Sequence, residues 1–465
     1  MEGYVNQLME FRQLGRSIAR MTVPVLIEQF FIVIMGVVNT MLASNMGPQA
    51  ISAIGMVDTI NIVVISVFSA MSVGGTVVVA QYTGRGDRER ANQAAAQALT
   101  SCLLISGLAT LALFFSRSWL VQTLFSDAEP QVIANGLGYL GIVLWSYIPL
   151  ALTSIGFGIL RGAGDTRTPM TVSILMNLFN VVFSYVLIYG FSISLGFLHI
   201  VFPSFGVRGA ATGLLMARTA GMLLIMIPIL RGSKDIQLTR LSHFRIQMRM
   251  QKMIFQLGVP AGTEQLLFNG GKLIVQMFIV SLGTASMAAN TISNSVNSLT
   301  MIPGNAMAIA ATAIVGQQMG RSKPQEARRQ LKFLVLVSSA AMLLLSLSLF
   351  PLLNLVVGLY TRDPETASLA HFVLTTSLIA QPLLWSTSFI LPSGLRGAGD
   401  VRYTMIISIV SMWLLRIGIG YLFAIVFAWG VVGIWLAMYA DWAVRSIFFY
   451  IRMLGRRWLQ KSVID

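Results

Sequence analysis

The 465-residue sequence has little charge, one cysteine and three histidines. Asp, Glu, Lys and Arg make up 11% of it, against about 25% in a soluble domain, so the chain lacks the charge to cover a water-facing surface. A lone cysteine, Cys102, excludes an internal disulfide. His199, His243 and His371 are scattered, and no Gly-x-x-x-x-Gly-Lys-Ser/Thr motif occurs. We therefore expect neither an enzyme nor an ATP-driven pump, and no cofactor.

The chain is instead rich in long apolar runs. Hydrophobic residues make up 55% of it, and the mean hydropathy is +0.76. The runs are about 20 residues long, enough to cross a hydrocarbon core as a helix. We place twelve spans near residues 21–43, 51–75, 94–115, 135–158, 169–190, 206–230, 258–281, 288–312, 332–354, 368–392, 404–425 and 430–451. The sequence thus predicts an all-α integral membrane protein.

The two halves of the sequence repeat each other. Leu-Arg-Gly-Ala-Gly-Asp at 160–165 returns at 395–400, and Gln81, Gly84 and Arg85 are echoed about 235 residues later. Six spans per half give parallel repeats, whose shared axis lies along the membrane normal and whose substrate site lies between them. We divide the chain into a lobe at 1–231, a cytoplasmic linker at 232–257 and a second lobe at 258–465.

The formal net charge of +15 is unevenly distributed. Basic residues fall in alternate connections, in the linker, which includes Lys234, and in a C-terminal tail that we begin at Arg445. The other loops hold few, chiefly Arg117 and Arg362. This asymmetry follows the positive-inside rule, which places both termini in the cytoplasm. We therefore expect membrane lipids, and not nucleic acid, as the partner of this charge; the basic and apolar segment 240–250 is either a plain linker or a helix lying on anionic lipid.

Several spans carry one-sided polar stripes, and polar groups at membrane depth need partners or a water-filled cavity. The alternative interpretation of each such amide is a hydrogen-bonded contact between helices. As substrate-cavity residues we predict Asn177, Asn180, Gln265, Asn269, Lys272, Gln276, Asn290 and Asn294.

Acidic residues inside the spans are candidates for ion coupling. Glu28 and Glu264 occupy equivalent repeat positions, so each is either a shared structural contact or part of transport. Asp58 has no acidic counterpart, and it either carries a proton or pairs with a basic residue. The duplicated motif contributes residues to which we assign a gating or structural role: Arg161, Asp165, Arg396 and Asp400.

The doubled motif is joined by Pro24 and Glu28, then Val38-Asn39-Thr40, and by a Gly47, Ala50, Ala53, Gly55 pattern. Together these resemble the multidrug and toxic compound extrusion (MATE) family over essentially the whole chain. The resemblance implies a V-shaped pair of lobes in the bacterial inner membrane. It also implies export of small amphipathic, often cationic, compounds in exchange for H⁺ or Na⁺, and we expect a monomer.

One departure from the family pattern concerns ion coupling. Many prokaryotic members have an aspartate where this chain has Asn39, and an amide cannot exchange a proton near neutral pH, although its oxygen can ligate sodium. The coupling candidates are therefore Glu28, Asn39, Asp58 and Glu264. The alternative function is a flippase for a lipid-linked precursor, which would need a strongly cationic cavity. Its lining would come from Lys272, Arg218, Arg208 and Arg416.

Overall fold

The computed structural model describes residues 2–126, 128–195, 198–233, 236–461 and 463–464; Lys234 of the predicted basic linker lies outside them. The first lobe contains α1 (Glu2–Ser44), α2 (Pro48–Arg85), α3 (Arg88–Leu124), α4 (Pro130–Val143), α5 (Tyr147–Gly162), α6 (Arg167–Tyr189) and α7 (Gly206–Arg231). The second lobe contains α8 (Met248–Ser281), α9 (Thr284–Thr300), α10 (Ile302–Gly320), α11 (Pro324–Leu349), α12 (Leu353–Tyr360), α13 (Pro364–Ala380), α14 (Ser386–Gly397), α15 (Val401–Ser411) and α16 (Gly430–Leu454).

These helices form the twelve predicted spans. Within the described part of the chain, ten continuous segments are long and apolar enough to cross a membrane, and α9 with α10, bent by 54°, makes an eleventh. The twelfth is α8, with 34 residues, whose polar stripe lowers its hydropathy. Short 3-10 or π-helical turns join the pieces of several spans, as at Leu144–Ser146 and Gln381–Trp385.

Two details differ from the sequence prediction. A short antiparallel hairpin, β1 (Phe191–Leu195) and β2 (Leu198–Phe202), joins α6 to α7, so the fold is not purely helical. In addition, α8 begins at Met248, so the last ten residues of the predicted linker are helical. The segment 240–250 forms a single 3-10 turn at Leu241–Phe244 before α8 starts.

The duplicated hexapeptide makes the same helix end twice. In the first lobe Asp165 N–H donates to Leu160 O at 2.8 Å, and in the second Asp400 N–H donates to Leu395 O at 2.9 Å. The residue before each aspartate, Gly164 or Gly399, has φ of 82° or 93°. This paired bonding with a left-handed residue is a glycine C-cap, and the positive φ explains why glycine is needed there.

The lobes meet along α2. It packs on α3 and α5 of its own lobe and on α8 and α10 of the other. The larger apolar core surrounds Val77, Leu140 and Ile159 and continues into Ile254 and Leu257 of α8, and a second core surrounds Leu331 and Leu395. The contact between the lobes along α2 and α8 is therefore itself part of an apolar core.

The linker is held against α3 by one buried glutamine. The Gln97 amide nitrogen donates to His243 O at 2.8 Å and Arg245 O at 2.7 Å, while its oxygen accepts from Gln247 N at 3.0 Å and Gln251 Nε2 at 2.9 Å. One side chain thus satisfies four groups of the linker and of the start of α8.

Gln97→Ala is expected to release the linker, because it leaves the buried carbonyl of His243 without its donor, at about 1–3 kcal/mol, and removes the donor of the partly buried Arg245 carbonyl. Limited trypsin digestion should then cut faster after Arg240 and Arg245. Gln93→Ala, one turn earlier on α3, is the control and should digest like the wild type. Equal digestion of all three proteins would contradict this role for Gln97.

Candidate functional site

A cavity of about 620 Å³ lies between the lobes. The first lobe contributes small polar residues of α2, among them Ser69, Ser72 and Thr76, and the second contributes residues of α8, α10, α14 and α16. A cavity of about 460 Å³ adjoins it within the second lobe. Both cavities are lined by Phe268, Lys272, Asn305, Trp385 and Phe389.

The polar residues predicted on α8 and α9 line the two cavities. Gln265, Asn269 and Lys272 line the larger cavity. The residues that line the smaller one are Lys272, Gln276, Asn290 and Asn294.

Two of these amides are already hydrogen-bonded. Asn269 Nδ2 donates to Ser66 Oγ at 2.9 Å, which bridges the lobes, and Trp435 Nε1 donates to Asn290 Oδ1 at 3.1 Å. They therefore shape the cavity wall as well as exposing polar groups.

The prediction for α6 differs from the structure. Asn177 and Asn180 are not among the lining residues of either described cavity. Asn177 Nδ2 donates back to Ser173 O of its own helix at 2.8 Å, and Asn180 is buried. α6 packs on α1 and α7 of the first lobe, with Asn177 half-buried and Asn180 buried.

Glu28 and Glu264 form equivalent ion pairs with the arginines of the duplicated motif. Both carboxylate oxygens of Glu28 accept from Arg161 Nη2, at 2.6 and 2.7 Å. Those of Glu264 accept from Arg396 Nη1 at 3.1 and 3.2 Å. The arginines lie in the last turns of α5 and α14 and line the cavity. Each pair ties two helices of one lobe together.

The aspartates of the motif have different partners in the two lobes. Asp165 accepts from the N–H groups of Arg167 and Thr168, at 3.1 and 3.2 Å, and so caps α6. Asp400 is fully buried and binds Arg452 Nε at 2.7 Å and Lys461 Nζ at 2.5 Å, so it fastens α16 and the C-terminal tail.

A symmetric clasp joins the lobes at the motif end of the bundle. Gln81 Nε2 of α2 donates to Gly397 O at 3.1 Å, and the repeat-equivalent Gln317 Nε2 of α10 donates to Gly162 O at 2.8 Å. The backbones also touch, since a Cβ on Gly320 would lie 1.9 Å from Gln81 O. The sequence repeat singles out these residues without indicating this contact, which holds the lobes together at the end that carries the motifs.

Asp58 lies in a polar network within the first lobe. Asn61 Nδ2 donates to its carboxylate at 3.0 Å, and Asn61 Oδ1 accepts from Tyr147 OH at 2.5 Å. Arg218 binds Ser146 Oγ at 2.7 Å. Among the acids that we predict for coupling, Asp58 differs from Glu28 and Glu264 in having an amide, not an arginine, as its bonded partner. Asn39 lines neither described cavity.

The site also contains residues that the sequence analysis misplaces or omits. Arg445, which we assign to the basic tail, lies in α16 with 2% of its surface exposed and lines the cavity. Its place inside the predicted span 430–451, four residues after Asp441, is the signal that would have found it. Arg416 pairs with the buried Asp441 at 2.9 Å. Stacked rings of Trp385 and Phe389, 4.6 Å apart, form an aromatic wall.

Comparison with known proteins agrees with this architecture. The MatE family model matches residues 24–186 and 260–422, one match in each lobe. The uncharacterized transporter YisQ of Bacillus subtilis is 26% identical over 96% of both chains. The probable multidrug resistance protein NorM of Thermotoga maritima is 25% identical over 98% of this chain and 95% of the relative.

Solved structures share the fold. One is a MOP superfamily transporter from Pyrococcus furiosus, described as having a binding pocket of reverse polarity that suggests a different function. It superposes with a TM-score of 0.85 at 20% identity over 97% of both chains. Two lobes of six spans, a polar cavity between them and a family match in each lobe lead to one assignment. The chain belongs to the multidrug and toxic compound extrusion (MatE) family of multi-pass membrane transporters.

Proposed function

We propose that this protein is a secondary active antiporter that exports amphipathic small molecules in exchange for H⁺ or Na⁺. The observation that carries the proposal is a cavity lined by polar residues of both lobes, together with the contact that the paired glutamines Gln81 and Gln317 make between the lobes at the motif end. Rocking of the lobes about such an interface is how parallel-repeat transporters expose a central site to alternate sides.

The basic connections favour a cytoplasmic location for the clasp. Arg85 and Arg321 end or follow the clasp helices, and the positive-inside rule puts such loops and both termini on the cytoplasmic side of the bacterial inner membrane. With the clasp closed there, the cavity is available from outside. We propose that the protein acts as a monomer, needs no cofactor beyond the coupling ion, and contacts lipid and substrate alone.

Asp58 is the acid best suited to carry the coupling ion. The carboxylates of Glu28 and Glu264 are each held by an arginine, and protonating either would leave a cation unpaired inside the membrane. Asp58 accepts a hydrogen bond from the neutral Asn61, and the nearby Arg218 is bonded to Ser146 instead of to the carboxylate. Asp58 therefore exchanges a cation without breaking a direct contact with an arginine. In this proposal, Asp58 and the polar groups beside it supply the oxygen ligands of the coupling ion.

Asp58→Asn is expected to abolish gradient-driven export in proteoliposomes, because the amide has no proton to exchange and less charge for sodium. Dye export is measured under separate proton and sodium gradients. Asp363→Asn, which changes a helix N-cap outside the spans, is the control and should keep coupled export. Full coupling in the Asp58 variant would remove Asp58 from the mechanism. A wild-type protein that responds to neither gradient would overturn antiport.

The family resemblance implies cationic substrates, whereas the charges that line the two cavities favour anions.

A further inference from the structure

We infer that the central cavity selects amphipathic organic anions: molecules with an aromatic or apolar body and a carboxylate, sulfonate or phosphate group. The inference deepens the proposed export function by naming its substrate class. It rests on which charges around the cavity have partners and which do not.

Among the described residues, three carboxylates near the cavity each lie within ion-pair distance of an arginine. Glu28 pairs with Arg161, Glu264 with Arg396 and Asp441 with Arg416. Glu264 is the one acid among the lining residues of the two described cavities. A cationic substrate would have to compete with an arginine for any of these oxygens.

Two cations are left over, Lys272 and Arg445. For the Lys272 ammonium the described part of the chain shows no ion pair or hydrogen bond; it sits over the Phe268 ring, 5.0 Å from the centroid. Arg445 Nη2 donates to Ser388 O at 3.4 Å and to Ser408 Oγ at 3.2 Å. Its Nε and Nη1 are buried without a partner among the described residues. Buried donors of this kind are normally satisfied, so these point to a ligand.

These cations share one aromatic ring, which crowds them. Arg416 and Arg445 lie 5.4 and 5.5 Å from the centroid of Phe268. The acids near Arg445 are Asp441 and Glu264, which already pair with Arg416 and Arg396. A ring face attracts cations but does not neutralise them. An anion placed beside Lys272 and Arg445 would relieve their mutual repulsion and fill the empty donors.

The rest of the wall suits an apolar body. Trp385 and Phe389 stack 4.6 Å apart with a 19° angle between their planes, and both line the two cavities next to Lys272. A flat aromatic molecule can lie against these rings with its charged group at the cations. Volumes of about 620 and 460 Å³ accommodate a dye-sized molecule.

The test uses two xanthene dyes of similar shape and opposite charge, fluorescein (anionic) and rhodamine 123 (cationic). Binding to the purified full-length protein is followed by fluorescence polarisation, and export is followed in proteoliposomes. We expect the wild type to prefer fluorescein in both assays. Tighter binding and faster export of rhodamine 123 would overturn the inference, and this comparison needs no variant to fold.

Variants then locate the charge. Lys272→Met should weaken fluorescein binding about tenfold, because methionine has a side chain of similar length but no charged donor. Lys272→Arg keeps a charged donor and should retain the binding. Arg117→Met, which removes another cation stacked on a phenylalanine but outside the cavity, should change nothing. Unaltered binding in Lys272→Met, in a protein that unfolds at the wild-type temperature, would also sink the inference.

Two further results separate the alternatives. If fluorescein binds in a Lys272-dependent way but no gradient drives export, the antiport proposal fails and the anion site stands. Competition by farnesyl diphosphate, without fluorescein export, would assign the anion site to a lipid-linked diphosphate instead of a soluble anion. Loss of anion preference with intact export of rhodamine 123 would leave the exporter and remove the anion site.

Discussion

Gly320→Val is expected to open the clasp and depress transport. The first side-chain carbon at this position would lie 1.9 Å from Gln81 O and 2.8 Å from its Cα, both backbone atoms that cannot move aside alone. Overpacking of this kind costs about 1–3 kcal/mol. Only the state with the clasp closed carries this cost. The equilibrium between the clasp-closed and clasp-open states should therefore shift by about 5- to 150-fold.

The opening is measured by labelling. In a Cys102→Ser background, a cysteine introduced by Ser69→Cys lines the cavity. With Gly320→Val added, a membrane-impermeant maleimide should react faster from the side of the duplicated motifs and more slowly from the other. Export of dye in proteoliposomes should fall in parallel, because turnover needs both states.

Gly107→Val is the matched control for this experiment. Gly107 is also helical, but no heavy atom lies within 4 Å of a Cβ built on it. It should therefore leave labelling and transport unchanged. A Gly320→Val protein that labels and transports like the wild type would show that the lobes do not close through this contact.

Arg161→Met is expected to cost about 3–5 kcal/mol of folding stability, because it strands the Glu28 carboxylate, 2% exposed, without its cation. The double variant Glu28→Gln/Arg161→Met should recover most of that loss, since the unpaired charge is gone. Thermal unfolding in detergent is the measurement. A double variant that is less stable than Arg161→Met would show that the unpaired Glu28 carboxylate is not the cause of the lost stability.

The other lobe provides the internal comparison. Arg396→Met removes the equivalent contact, but Glu264 has a more exposed side chain, 9% against 2%, and its oxygens are farther from the guanidinium. A stranded carboxylate nearer to water costs less. The loss of stability should accordingly be smaller than for Arg161→Met, and an equal or larger loss would contradict the burial argument.

Much of the architecture follows from short-range features of the sequence. An apolar run of about 20 residues must be helical in lipid whatever surrounds it, so twelve spans can be counted from hydropathy. The repeat of residues 160–165 at 395–400 similarly predicts parallel lobes, which the family comparison confirms. The stripe of Gln265, Asn269 and Lys272 lines the cavity because those positions share one side of α8.

Asn177, Asn180 and Arg445 lie in surroundings that local sequence features do not predict. Helical spacing shows that Asn177 and Asn180 lie on nearby sides of α6 but not which neighbour that helix turns toward. Likewise, a count of basic residues near the C-terminus places Arg445 in a tail, while α16 carries it into the core of the second lobe. Rotation and depth of a helix are set by its packing partners, which lie far away in sequence.

The number of spans and the duplicated helix ends follow from the sequence because each depends on one continuous segment, and the two equivalent halves follow from the direct repeat of such segments. The matching of Glu28 to Arg161 and of Gln81 to Gly397 depends on the fold, since 133 and 316 residues separate the partners. The sign of the unpaired charge in the cavity also depends on the fold. Charge balance is a sum over side chains from many helices, and only their packing decides which of them meet.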